Sequence, residues 1–176
     1  VNSEVSSSDV FSLWLMPQGR PREGLEKLIT RLSAQYTTPK FEPHVTLIGE
    51  LAIPEQEAVT KTKRLAQILK PFTISLKEAA CLDEYFRCVF IKADKTEELM
   101  NANLNACALF GQVEDKDYMP HLSLIYGDLT LPLKEQIIKD IGQESHMSFK
   151  VDGIALYCTS GHPKDWYRIL ETPLCA

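Results

Sequence analysis

The sequence predicts an α+β chain built on antiparallel sheet, and three observations carry that reading. Strand-like runs with a period of two alternate along the chain with amphipathic stretches whose apolar residues fall three and four apart. Strand-like runs also occur in close pairs joined by short polar turns, as in hairpins. One six-residue pattern occurs twice, 77 residues apart (121 less 44), so the chain reads as two related halves. Hairpins rule out an all-parallel sheet, whose strands need long crossovers.

Taken in order, Phe11, Leu13 and Leu15 alternate with Ser12, Trp14 and Met16, a first strand that Pro17 ends. In "PREGLEKLITRLSAQY", Leu25, Leu28, Ile29 and Leu32 line one helical face behind an opening proline. "FEPHVTLIGE" is the second strand. "IPEQEAVTKTKRLAQILK" is a second helix, stopped by Pro71. "FTISLKEAACL" and "FRCVFIKA", separated by "DEY", form a hairpin, and "KTEELMNANLNACALF" is a third helix. After the polar loop "GQVEDKDYM" come the strand "PHLSLIYGDL", the helix "LPLKEQIIKDIG", and a last strand pair in "SFKVDGIALYCTS" and "WYRILETPL". No low-complexity linker interrupts this, so residues 10–176 read as one domain behind a frayed tail at 1–9.

Composition narrows the function. At 176 residues and 44% hydrophobic, the chain buries a core without staples. A formal charge of -5 and a pI near 5.4 argue against a long nucleic-acid partner, which is held by clustered Lys and Arg. A small anionic substrate needs only a few local donors. No run approaches the roughly 20 apolar residues that span a bilayer. The start lacks the order of a secretory signal, so a cytoplasmic monomer is the expectation. Five cysteines with no CxxC pair fit free thiols in a reducing compartment. The spacing of Cys158 and His162 has no second pair to complete four metal ligands, so no metal and no cofactor is expected. The acidic stretches "EDKD" and "PEQE" read as solvated surface.

The repeat is the informative feature. "EPHVTLIG" and "MPHLSLIYG" share Pro, His, an aliphatic residue, Thr or Ser, Leu and Ile. Residues two apart in a strand project from one face, so His44 points with Thr46 and His121 with Ser123. A single histidine on a strand is ordinarily structural. Two of the chain's four histidines in one repeated context are not explained that way. A pair of imidazoles titrating near neutrality suits general acid-base catalysis, and two hydroxyls beside them suit the oxygens of a phosphorus centre.

The paired motif, "HVTL" and "HLSL", resembles that of the 2H phosphoesterase superfamily. With "FEPHVTL", "SLWLMP" and "HLSLIYG" around it, the chain is most similar to the cyclic phosphodiesterase branch. The resemblance implies a bilobal fold in which two antiparallel sheets face each other across a central cleft, with helices outside. It implies metal-free hydrolysis of nucleoside 2',3'-cyclic phosphates to 2'-phosphates, and of ADP-ribose 1'',2''-cyclic phosphate to ADP-ribose 1''-phosphate. His44 and His121 would be catalytic, and Thr46 and Ser123 would hold the phosphate. Which histidine is base and which acid stays open.

Five further residues belong to this picture. Tyr126, five after His121, alternates off the His121 face unless the strand ends or bulges, and reads as core on pattern. The resemblance instead puts it in the site as a substrate contact. Trp14 could stack on a nucleobase or fill the core; Trp166, Tyr85 and Phe86 are weaker candidates for the same task and read better as packing residues. Two other readings remain: an RNA-end 2'-5' ligase or phosphodiesterase, which would want a more basic surface, and a non-catalytic nucleotide-binding module.

Overall fold

The structure, a computed structural model, describes residues 9–175. Residues 1–8 of the expected tail lie outside the described residues. Asp9, the last residue of that tail, accepts a hydrogen bond from Ser160 Oγ at 3.2 Å.

Eight strands and four helices follow one another among the described residues: β1 (Phe11–Leu15), α1 (Gly19–Tyr36), β2 (Val45–Leu51), α2 (Glu55–Ile68), β3 (Phe72–Cys81), β4 (Val89–Ala93), α3 (Glu97–Phe110), β5 (His121–Ile125), α4 (Leu131–Ile141), β6 (Ser148–Val151), β7 (Gly153–Cys158) and β8 (Tyr167–Pro173). Local chemistry sets several ends. On α1, Leu25, Ile29 and Leu32 are buried at the spacing of one helical stripe, and Thr37 closes the helix in the left-handed conformation. Thr96 Oγ1 accepts the Leu99 N–H to start α3, and Gly111, at φ 71°, ends it. The predicted strand "FRCVFIKA" starts late: Tyr85–Arg87 form a 3₁₀ turn, and β4 begins at Val89.

Every strand pairing is antiparallel, in the order β6-β3-β4-β5-β2-β1-β7-β8. The two sheets of the bilobal expectation are the two halves of this order, four strands each. They join between β2 and β5 through a single residue pair, Val45 with Leu122. The segment "SFKVDGIALYCTS" supplies a strand to each half: β6 pairs with β3, and β7 pairs with β1. Val151 and Gly153 are two residues apart in the chain yet belong to strands far apart in the order. The sheet must therefore curl until its far strands approach each other.

The helices cover the outer surface, α1 against β5, α2 against β1, β7 and β8, α3 against β2 and β3, and α4 against β3. Between helices and sheet lies a core that includes Leu13, Leu47, Leu65, Ile74, Leu99 and Leu122, each fully buried. The opposite face of the sheet lines the cleft. This explains why all five residues of β1 are buried although they alternate in polarity.

Candidate active site

His44 immediately precedes β2, and His121 opens β5. In the antiparallel register set by Val45 and Leu122, one step either way puts His44 across from Ser123 and Thr46 across from His121. Both motifs thus meet at the seam between the half-sheets. They line one cleft of about 730 Å³ together with Tyr126, Tyr118, Phe86, Arg87 and Trp166.

The two imidazoles are held in the same way. His44 Nδ1 lies 2.7 Å from the Glu42 carbonyl oxygen, and His121 Nδ1 lies 2.8 Å from that of Met119. A carbonyl only accepts, so each neutral ring carries its proton on Nδ1 and leaves Nε2 bare. Each carbonyl stands two residues upstream, across Pro43 or Pro120, so the sequence Xaa-Pro-His builds its own tautomer lock.

Burial makes both histidines hard to charge. His44 is pushed down from 6.5 to about 4, chiefly by loss of solvent, with the Glu42 carbonyl pulling the other way and the charge of His121 adding to the fall. His121 is lowered for the same first reason, with the Arg87 guanidinium also opposing its protonation. That the charge of His121 is felt at His44 follows from the two motifs' meeting across one strand pair.

The hydroxyls differ. Ser123 Oγ donates to the Phe86 carbonyl at 2.9 Å, whereas the half-buried Thr46 hydroxyl has no hydrogen-bond partner among the described residues. Thr46 is steadied through its backbone, whose carbonyl accepts from Tyr118 Oη at 2.8 Å. Tyr126 lies just beyond the end of β5, which is how it leaves the alternation and enters the cleft. Its Oη stands 3.5 Å from His44 Nε2, and burial pushes its phenol up, so it stays protonated.

Trp14 has another role than the base-stacking one expected of it. β1 lies between β2 and β7, and the indole is flanked by His44 at 3.5 Å and by Tyr157 at 3.8 Å, both nearly parallel. With 3% of its surface exposed, it offers no face to a nucleobase. It fixes the plane of the His44 ring instead. The accessible aromatic wall is Phe86, 49% exposed, stacked on Trp166 at 5.8 Å and edge-on to Tyr126 at 5.2 Å.

Sequence reasoning passed over the support behind His44. Glu42, whose carbonyl holds Nδ1, has its carboxylate fixed by Tyr157 Oη at 2.9 Å and by Arg22 Nη2 at 2.7 Å. These three residues come from the approach to β2, from β7 and from α1, and no local spacing links them. Asn103, buried on α3, donates to the Leu47 carbonyl at 2.8 Å and ties that helix to β2. Cys158 and His162 are engaged locally, with Ser160 Oγ and with the Lys164 N–H. Among the described residues, no group of three or more His, Cys, Asp or Glu side chains is arranged to hold a metal ion. No helix among the described residues is long and apolar enough to cross a membrane.

The sequence matches the family described as cyclic phosphodiesterase-like protein over residues 10–160. It is 28% identical over 169 residues to the cyclic phosphodiesterase of Arabidopsis thaliana, covering 92% of this chain and 91% of that one. It is 31% identical over 133 residues to the 2',3'-cyclic-nucleotide 3'-phosphodiesterase of Phaeosphaeria nodorum, covering 66% and 68%. The crystal structure of TT0787 of Thermus thermophilus superposes with a TM-score of 0.67 over 94% of this chain and 97% of that one, at 19% identity, which speaks for the fold. With the family matched along most of its length, the chain belongs to the cyclic phosphodiesterase-like proteins and is a hydrolase.

Proposed function

We propose that the protein hydrolyses nucleoside 2',3'-cyclic phosphates, and ADP-ribose 1'',2''-cyclic phosphate, by acid-base catalysis between His44 and His121 with no resident metal. One observation carries the proposal: two imidazoles with Nδ1 tied to backbone carbonyls share a cleft with two hydroxyls, one per motif. The cyclic phosphate rests its non-bridging oxygens on Thr46 and Ser123. Ser123 must turn from the Phe86 carbonyl to donate, while Thr46 is already available.

One histidine, neutral, takes a proton from water as the water oxygen bonds to phosphorus. Its protonated partner gives a proton to the departing ribose oxygen as that P–O bond breaks. One water is added, and the two rings exchange protonation states, to be reset by solvent. The substrate's negative charge between the rings favours the protonated form that burial alone disfavours. The name of the Phaeosphaeria nodorum relative specifies the 3' ester; carried to this chain, the phosphate stays on the 2' oxygen. Four carboxylates on the cleft walls, Glu50, Glu84, Asp115 and Asp117, speak against a polynucleotide strand as the substrate.

Phosphorus NMR of 2',3'-cyclic AMP incubated with the enzyme and a chelator tests this. The expected result is conversion to adenosine 2'-phosphate alone. Binding without turnover, or accumulation of the 3'-phosphate, would overturn it.

A further inference from the structure

Lys134 lies on α4 and lines no part of the cleft, yet only 2% of its surface is exposed. Two features make this a poor place for a cation. Burial strips the ammonium of water, and the first turn of α4, residues 131–134, is the end where the helix dipole disfavours positive charge. Its Nζ donates to the Leu82 carbonyl at 2.8 Å, while its ion-pair partner, Asp83 at 3.6 Å, is fully exposed and adds little. A methionine would fill the same space without these costs. The lysine is explained by what it holds.

What it holds is the neck of a loop. Leu82 follows β3, and its N–H donates to the Arg87 carbonyl at 3.0 Å, which closes residues 82–87 on themselves. Two more donors reach this loop from outside: the Gly127 N–H bonds the Tyr85 carbonyl at 2.9 Å, and Ser123 Oγ bonds the Phe86 carbonyl at 2.9 Å. The loop carries Phe86, the half-exposed ring on the cleft wall. Its 3₁₀ turn is one turn long and has poorer hydrogen-bond geometry than an α-helix, so the ring's position depends on those outside donors. Of the three, Ser123 is the one that must leave when a phosphate binds. In the substrate complex the loop then rests on Gly127 at its tip and on Lys134 at its neck.

We propose that Lys134 is a positioning residue for nucleobase recognition, clamping the loop from α4 and so keeping Phe86 where a base stacks once Ser123 has turned to the phosphate. The inference rests on the cyclic phosphodiesterase reading and adds to it a residue outside the cleft that governs KM for substrates carrying a base.

The test uses Lys134→Met, which keeps the volume and removes the donor and the charge. Its urea midpoint is compared with that of wild type, and kcat and KM are measured on 2',3'-cyclic AMP and on methyl riboside 2',3'-cyclic phosphate, which has a methoxy group in place of the base. The variant is expected to keep or raise the midpoint, to raise KM for 2',3'-cyclic AMP about 3- to 10-fold with kcat within about twofold, and to leave both constants for the baseless substrate within about twofold. In a Phe86→Ala background, Lys134→Met is expected to raise KM no further, because the lysine acts through that ring. A lowered midpoint makes the buried charge a structural one and overturns the proposal. Equal losses on both substrates, no loss on either, or losses that multiply in the double variant overturn it as well, and each leaves the cyclic phosphodiesterase reading standing. A wild-type enzyme inactive on both substrates overturns that reading and the role of Lys134 with it.

Discussion

Two histidines with the same backbone lock are not equivalent. His44 is the more deeply set, pressed between Trp14 and the cleft, and its ring resists protonation down to about pH 4. In the unfolded chain the same ring takes up a proton near its ordinary 6.5, so between those values the unfolded state binds more protons. Stability from this group is therefore whole above about pH 6.5 and lost as the pH falls toward about 4, by about 3 kcal/mol in all. Urea unfolding of wild type and His44→Gln at pH 7 and pH 4.5 isolates it: the wild type is expected to lose more stability than the variant, and parallel losses would contradict the burial. Phe86 is the residue for a base to meet, being half exposed where Trp14 is covered on both faces. Phe86→Ala is expected to raise KM for 2',3'-cyclic AMP about 5- to 150-fold with little change in kcat, from a stacking contribution of about 1–3 kcal/mol per base. Steady-state kinetics would show it, and an unchanged KM would remove Phe86 from the site.

At the scale of elements, β2 and β5 were legible in the sequence because everything that marks them is local. Proline, histidine, the hydroxyl two residues on, and the aliphatic residues between them lie within one strand's length, and even the tautomer lock is made by a carbonyl two residues away. What was not legible is what packs against those strands from elsewhere. Trp14 was correctly grouped with Ser12 and Met16 on one face of β1, but its partners come from β2 and β7, so its covered faces could not be foreseen. Glu42, Tyr157 and Arg22 meet across 115 and 20 residues of chain and carry no common spacing. Asn103 is the same kind of case, a polar residue on the buried stripe of α3 that reads as a defect until the Leu47 carbonyl is seen opposite. Asn103→Ala is expected to cost about 1–3 kcal/mol, because it strands a buried carbonyl and loosens α3 from β2. Denaturant titration measures that cost, and a change below about 0.5 kcal/mol would show the tie to be dispensable.

For the whole molecule, the decisive geometry is a single seam. The two half-sheets that the repeat foretold join through Val45 and Leu122 alone, and this one pair brings each histidine opposite the other motif's hydroxyl. The repeat told that there were two halves; it carried no information on how they close, which depends on the chain passing from β6 in one half to β7 in the other at Asp152. Histidines on either side of such a seam act on one phosphate or they have no reason to be paired. Initial rates on 2',3'-cyclic AMP, with chelator present, for wild type, His44→Ala, His121→Ala and the double variant decide between these. Each single variant is expected to fall by about 10²- to 10⁴-fold, and the double no further than the worse single, as for groups that work as a unit. Either single variant retaining more than about a tenth of the wild-type rate, or losses that multiply in the double, would contradict a shared two-histidine site.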